Sequence, residues 1–575
     1  MAELFGIRAD GAFRSDNTSA SDTLDLIWSS TFTPTSQADF YNFIGVSGGA
    51  HYNSQYANQD IVFDGAAASY TPRTSNDNTG GDNWSSRPAI ILDKRNLTAA
   101  SHTVKSRAWG SGTVSGGGAA GNGIAFWSIT TPQWTTGASA TSSSTTYTDE
   151  LTLTFTPGTQ QDYLVIASMS NIYMNNQTTE GWCNLVIDSV EYAYNREVGF
   201  SCASSYGRPP VSFMKVINLT AASHTVKIQV KANAGTSTIT MNNLAIIAIP
   251  LAALTYQSNE GTASQTTTSQ TYSTAASVSV TASNKWYMII ASAEIDNNVP
   301  CAVQLLVDGV PHSVNVVDPA GTNNRIGMSL LTVEKINGSS KTVALQFASP
   351  NGSSTARILN PRIIVIDVTS EMKQCDVCFR ASSGWNKFFR TESTNEVQCQ
   401  MATPTIATGE AYSEVGKNVS NQKMNSAARF LGIDVKNAAN ITESYLINRV
   451  STNKTFSMIV YGMDEDNSAI FSTAADYTGR TRTTASVNWN PASAAWSVSG
   501  DIQSVIEEIT ARAGWVQGNA LSLEMDGANA TSNNYYRINT LDYHPSVSRP
   551  MGMYIKWSET MAAPLTPRSY GFMIA

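Results

Sequence analysis

Oxygen donors crowd one short stretch of this chain, Asp464-Glu-Asp-Asn467. Calcium takes about six to eight such oxygens, and the stretch lacks the glycine and the distal glutamate of an EF-hand loop. A solvated turn is the simpler expectation. Asp464, Asp466 and Asn467 are the ligands to test for calcium, and no other cofactor is expected. Glu507 and Glu508 are the next acids in view. Glycosidic hydrolysis needs two carboxylates facing each other across a cleft, whereas these two neighbours read as solvent-facing charges on the polar side of a helix. No Gly-x-Ser-x-Gly elbow, phosphate loop or His-Glu-x-x-His is present. No catalytic residue is assigned, and the expectation is a protein without enzyme activity.

The cysteines are Cys183, Cys202, Cys301, Cys375, Cys378 and Cys399. Only Cys375 and Cys378 are closely spaced, and Cys399 alone could add a third thiolate, one short of a structural zinc set. Free thiols in a reducing compartment are the simpler reading. A redox role is disfavoured because nothing around Cys375-x-x-Cys378 reads as a strand-to-helix turn. His102 and His224 stand at the same place in two copies of one ten-residue text, but the third copy has Lys341 there. Lysine is neither a neutral ligand nor an equivalent base. A turn residue bonding local backbone fits all three.

Aromatic residues crowd the C-terminal third: Trp489, Trp496, Trp515, Tyr535, Tyr536 and Tyr543. Such rings stack on sugars while amides nearby bond the hydroxyls. Trp489 and Trp515 read as core. Tyr535 and Tyr536, beside Asn533 and Asn534 in a polar stretch, are the expected glycan contacts.

The elements behind these residues follow from repetition. Asn96-Leu-Thr-Ala-Ala-Ser-His-Thr-Val-Lys105 recurs unchanged as Asn218 to Lys227, and a blurred copy lies near Lys335 to Ala344. After each copy the text alternates: Val226, Ile228 and Val230 against Lys227, Gln229 and Lys231, then Val343, Leu345 and Phe347 against Ala344, Gln346 and Ala348. Period two means a strand with one buried face. Longer apolar runs, Leu244 to Ile249 and Ile363 to Ile366, read as strands buried on both faces. Upstream, Tyr163 to Ser168 matches Tyr287 to Ser292, and Leu185 to Asp188 matches Leu305 to Asp308, with Val62 to Gly65 as the first-copy counterpart. Short strands between turn signals make each unit a β-sandwich. The expected units are 1–34 as an N-terminal anchor, sandwiches at 35–135, 145–252 and 264–368, a bridge at 369–394, a larger domain at 395–558 and a tail at 559–575. Ser/Thr-rich seams at 138–146 and 261–274 separate the repeats, and Gly110 to Gly123 reads as an enlarged loop.

Charged residues are 14% of the 575, well below the ~25% of ordinary globular proteins. Hydroxyls and amides replace them, which suits strands and tight turns. A net charge of −8 gives no basic footprint for nucleic acid. No run of about 18 apolar residues suggests a membrane span, and the start lacks the basic and apolar segments of a secretory signal.

In the larger domain, Thr481-Arg-Thr-Thr-Ala-Ser-Val-Asn-Trp489 precedes Asp501 to Arg512, where Ile502, Val505, Ile506 and Ile509 share one helical face behind Asp501 as N-cap. Gly514-Trp-Val-Gln-Gly-Asn519 follows, and Ala428 to Asp434 reads as an early strand. This text resembles the carbohydrate-binding-module-like jelly-rolls of bacterial secreted proteins and phage virion proteins. The repeats look like β-sandwich units of tailed-phage fibre, tail and capsid-decoration proteins, carried by the turn Leu-x-Ala-x-Ser-His-Thr-Val. The resemblance implies an all-β chain, with tandem sandwiches followed by a jelly-roll holding one short helix. It implies a non-enzymatic virion surface protein assembled in the host cytoplasm. Its expected partners are other virion proteins, host surface glycan and further copies in an oligomer. An extracellular carbohydrate-binding protein or adhesin is the second reading, and a glycan depolymerase the third.

Overall fold

Strands such as Gln161–Met169 and Lys285–Asp296 are apolar on both faces, so each needs two apolar layers to bury it. The computed structural model supplies them. It describes residues 2–558 outside 10–12, 16–24, 51–54, 65, 68–72, 77–84, 111–116, 120–122, 176–179, 199–209, 270, 282–284, 297–300, 308–309, 318–324, 337–339, 350–354, 381–395, 402–404, 409–411, 431–432, 434, 436, 451–455, 492–495, 518 and 540–550.

Each repeat is a two-sheet sandwich with one strand order. The inner sheet runs lead strand, last strand, second strand, middle strand. In repeat 2 these are Gln133–Ser142, Ile239–Pro250, Gln161–Met169 and Val211–Leu219. In repeat 3 they are Tyr256–Glu260 continued by Ser264–Thr267, Ala356–Asp367, Lys285–Asp296 and Arg325–Ile336. In repeat 1 they are Leu4–Ala9, Ile124–Trp127, Ala38–Ala50 and Ser85–Leu97. The outer sheet carries the strand that follows the repeated text: His102–Gly110, His224–Ala232 or Lys341–Ala348.

Alternate residues of the inner strands serve different cores. Tyr163, Val165 and Ala167 fill repeat 2's own sandwich, while Leu164 and Ile166 face a core shared with Phe43, Ile90 and Leu92 of repeat 1 and Met288, Ile290 and Leu331 of repeat 3. The repeats are therefore fused back to back. Each fully buried aliphatic side chain contributes about 1.5–3 kcal/mol, and those of the inner strands contribute to two cores. The repeats meet closely. Ile90 N donates to Ser212 Oγ at 2.9 Å and Gly123 N to Leu331 O at 2.7 Å. A Cβ on Gly327 would lie 2.8 Å from Phe213, so the approach requires glycine there.

This arrangement redraws the expected boundaries. The stretch 1–34 is not a separate anchor: Leu4–Ala9 is the lead strand of repeat 1, and Asp25–Phe32 pairs with His102–Gly110 in its outer sheet. Most of the first Ser/Thr seam is likewise the lead strand Gln133–Ser142. Leu4–Ala9 also pairs in parallel with Met372–Arg380, which pairs with Gly552–Ser558. One eight-stranded sheet thus runs from repeat 1 into the C-terminal module. That module closes with a second sheet, ordered Thr405–Thr408, Glu396–Gln400, Lys423–Phe430, Leu521–Asp526, Met458–Met463 and Arg482–Trp489, with Tyr412–Lys417 and Asn534–Asn539 branching from it.

The described residues hold two helices where one was expected. Gln503–Thr510 buries Val505, Ile506 and Ile509 between the two sheets of the module. Its N-cap is Ile502, and Asp501 one residue earlier accepts from Gln503 N at 2.9 Å. Ala474–Gly479 is capped by Thr473, whose hydroxyl accepts from Asp476 N. No helix among the described residues is long and apolar enough to cross a membrane. Trp385, Phe388 and Phe389 of the bridge, most of the Gly110 to Gly123 stretch and the tail lie outside the described residues.

Candidate functional site

The expected glycan contacts are not on the surface. Tyr535 and Tyr536 lie in Asn534–Asn539 and are 8% and 1% exposed. Tyr536 stacks on Phe456 at 4.6 Å and donates its hydroxyl to Phe456 O at 3.0 Å. Adjacent residues of a strand point to opposite faces, and both rings are buried here, which local polarity did not reveal. Asn533 remains exposed in a turn at φ 51° and Asn534 is half-buried, but the two rings next to them in sequence are buried. Tyr543 is outside the described residues.

The acidic loop faces an arginine where a cation was considered. Arg512 Nε donates to Asp466 Oδ1 at 2.7 Å, and its Nη1 bonds Asp464. Asn467 Oδ1 accepts from Ala520 N at 2.8 Å. The three oxygens tie the loop to the segment after the second helix. Glu508 is not a free surface charge either: it accepts from Thr484 N at 2.7 Å and Ala485 N at 2.8 Å. Burial opposes its ionisation, but those backbone donors hold its carboxyl below the usual range. Glu507 accepts from Gln503.

The repeated histidines close a clamp. His224 Nδ1 is 2.5 Å from Asp188 Oδ2 and its Nε2 is 3.1 Å from Thr220 O, while Asp188 Oδ1 accepts from Thr225 N. His102, Asp64, Thr98 and Thr103 repeat the geometry. Both aspartates sit at positive φ, 50° and 49°, a turn conformation short polar side chains tolerate. The backbone bond was legible in the sequence; the aspartate partner, 36 residues upstream of His224, was not. The clamp pins one outer-sheet turn to the next strand. Cys399, Cys183 and Cys301 are buried, while Cys375 and Cys378 lie within the paired strand Met372–Arg380. Trp489 and Trp515 are core, donating to Ser497 Oγ and Val435 O.

A constellation the sequence reading missed lies on the outward face of the module's second sheet. Leu521–Asp526 and Arg482–Trp489 alternate, so Leu523, Met525, Thr483 and Trp489 turn inward. Glu524, Asp526, Arg482, Thr484, Ser486 and Asn488 turn the other way. Tyr461 pairs with both Glu524 and Ser486 across the ladder, and the Arg482 guanidinium lies 4.8 Å from its ring centroid. Arg482 grips Glu524 through Nε at 2.6 Å and Nη2 at 2.7 Å, and Asp526 through Nη1 at 2.8 Å. Asn425 Nδ2 and the Tyr477 hydroxyl each donate to Glu524 at 2.8 Å, and Lys423 pairs with Asp526 at 2.9 Å.

Electrostatics favour the charged forms of Arg482 and Asp526. Burial works against the Arg482 charge, but Glu524 and then Asp526 outweigh it and raise the guanidinium pKa. Burial also opposes ionisation of Asp526, yet Lys423 and then Arg482 hold its carboxyl low. Burial, then the Glu524 charge, pushes the Tyr477 hydroxyl well up, so it stays a donor. Both Glu524 oxygens are occupied by donors, which suits a fixed platform and not proton transfer. What remains available is the half-buried Tyr461 ring beside exposed Ser486 and Asn488. Stacking and hydroxyl bonding are the chemistry it offers. The polar half of the two alternating strands was the signal for it.

No protein-family model matches the chain, and no curated protein matches it. Among solved structures it is similar to an archaeal-virus protein described by a triple jelly roll fold and turret assembly, at 10% identity and TM-score 0.22, covering 71% of this chain and 82% of that one. It is also similar to the insecticidal delta-endotoxin Cry8Ea1 of Bacillus thuringiensis, at 9% identity and TM-score 0.16 over 59% and 54% of the two chains. A tandem CBM22 pair from Paenibacillus barcinonensis Xyn10C matches at 12% identity and TM-score 0.13 over 52% and 95%. These likenesses are too distant to carry a functional argument. The chain is an all-β protein of β-sandwich and jelly-roll type on the evidence of its own strands.

Proposed function

We propose that the chain is a non-enzymatic structural protein of a virion surface, of the tailed-phage fibre, tail or capsid-decoration type, with other virion proteins as its partners. One observation carries this reading: three sandwiches share a single apolar core and a continuous sheet ties them to the C-terminal module. Such fusion resists the hinge motions that separate domains allow. It is what a load-carrying or display element needs. The saturated Glu524 and Asp526 carboxylates support the absence of catalysis. Mass spectrometry of density-purified particles from an infected or induced host tests the proposal. The chain is expected at fixed stoichiometry with the major capsid or tail proteins. Its absence from particles, with recovery from the culture medium, overturns it.

The outward face around Tyr461 favours a glycan-contact role for the module, either on a virion or as the alternative extracellular carbohydrate-binding protein. The test is retention of the full chain on immobilised host polysaccharide, compared with Tyr461→Ala. Equal retention of both forms removes Tyr461 from the role. Release of oligosaccharides would instead establish a depolymerase.

A further inference from the structure

The three lead strands occupy equivalent edges but are guarded differently. In repeat 1 the outer edge of Leu4–Ala9 is taken by Met372–Arg380, from Leu4 opposite Met372 to Ala9 opposite Cys378. In repeat 3 the lead strand is broken into Tyr256–Glu260 and Ser264–Thr267. A Cβ on Gly261, at the break, would fall 2.0 Å from Ala275 O. That strand also ends on Glu260, which is paired with Lys215 and Arg362. An occupied edge, an interruption and a charge are the usual protections of a sheet edge.

Repeat 2 has none of them. Gln133–Ser142 runs ten residues, paired along one side to Ile239–Pro250. Among the described residues no strand pairs with its other side. Its text, Gln-Trp-Thr-Thr-Gly-Ala-Ser-Ala-Thr-Ser, contains no charge and no proline, and Thr136, Ala138, Ser139 and Thr141 are exposed. Trp134 anchors the strand's start by packing edge-on to Tyr41 of repeat 1, at 5.6 Å between centroids. The unguarded side is thus held in place by the fold.

We propose that this edge is where two copies of the chain join, strand to strand and antiparallel about a two-fold axis. The intramolecular pairing of Leu4–Ala9 with Met372–Arg380 demonstrates that the equivalent edge accepts a further strand. A two-fold contact requires a self-complementary patch. An uncharged strand of Thr, Ser, Ala and Gly meets that requirement, because no register sets like charges opposite one another. With the axis at Gly137, Thr136 faces Ala138 of the partner subunit, and the two inner sheets become one. The proposal holds wherever on a particle the protein sits, so it stands apart from the virion reading.

Charge swapping tests it on the full chain. Thr136→Lys with Ala138→Lys places lysines opposite lysines, and Thr136→Glu with Ala138→Glu does the same with acids. Both positions are exposed in one copy, so each double variant should keep the parent's circular dichroism. Sedimentation equilibrium is expected to give twice the 61.6 kDa chain mass for the parent, one chain mass for either variant alone, and recovery of the double mass when the two variants are mixed. A monomeric parent, or a lysine variant that still sediments at the parent mass, overturns the proposal. So does a mixture that stays monomeric.

Discussion

Two strands in this molecule solve opposite problems. Gln161–Met169 of repeat 2 buries aliphatic residues on both faces, one in its own sandwich and one in the core shared by all three repeats. Arg482–Trp489 of the C-terminal module buries Thr483 and Trp489 on one face and sets Arg482 among carboxylates on the other. Burial of apolar surface is non-directional and scales with area, so the shared core tolerates drift between copies as long as volume is kept. The charged face depends on geometry, since a buried carboxylate costs several kcal/mol unless its partners stay in place. The apolar core has therefore diverged between the copies, whereas this unrepeated polar network depends on each of its partners staying in place.

This contrast can be broken by substitution. Glu524→Ala removes two of Arg482's three bonds to carboxylates and the acceptor for Tyr477 and Asn425, so a loss of about 3 kcal/mol is expected in urea unfolding. A loss below about 1 kcal/mol would mean that the network is dispensable. Ile290→Ala opens a cavity in the shared core and should cost about 3 kcal/mol. If the repeats are one cooperative body, it lowers the same transition that Ile166→Ala lowers. Two separated transitions would argue for independent sandwiches. His224→Ala removes two hydrogen bonds of the clamp and should cost about 1 kcal/mol, matched by His102→Ala. A much larger effect would give the histidine a role beyond the turn.

The pH dependence sharpens the same comparison. Asp526 has a depressed pKa in the folded state. Its contribution is present above the unfolded value of about 3.9 and is lost as pH falls through the folded value. The difference in thermal midpoint between the parent and Asp526→Asn is therefore expected to be constant near neutrality and to shrink in acid below about pH 4. A difference that persists in strong acid would assign the effect to packing. Tyr461→Ala is expected to change stability least, by about 0.5 kcal/mol, while abolishing retention on glycan.

Much of this was legible beforehand. The alternation after each repeated text gave the outer-sheet strands, and Ile502, Val505, Ile506 and Ile509 marked the buried helical face. Leu4–Ala9 escaped because six residues carry too little pattern to announce that they pair with strands more than a hundred residues away. Tyr535 and Tyr536 misled for a related reason: two adjacent rings in an asparagine-rich stretch suggest a loop. Pairing with Tyr412–Lys417 and stacking on Phe456 bury them nevertheless.

The sequence by itself determined what depends on local periodicity: an all-β chain, three copies of one sandwich, a distinct C-terminal module and low surface charge. Tertiary structure alone decided which acids meet which cations, which aromatic ring is left at the surface and how the sandwiches are fused. Those outcomes depend on contacts between residues far apart in the chain. Arg512 reaching Asp464 and Asp466, Arg482 reaching Glu524, and Leu164 sharing a core with Phe43 and Met288 each bring together residues that no local pattern relates.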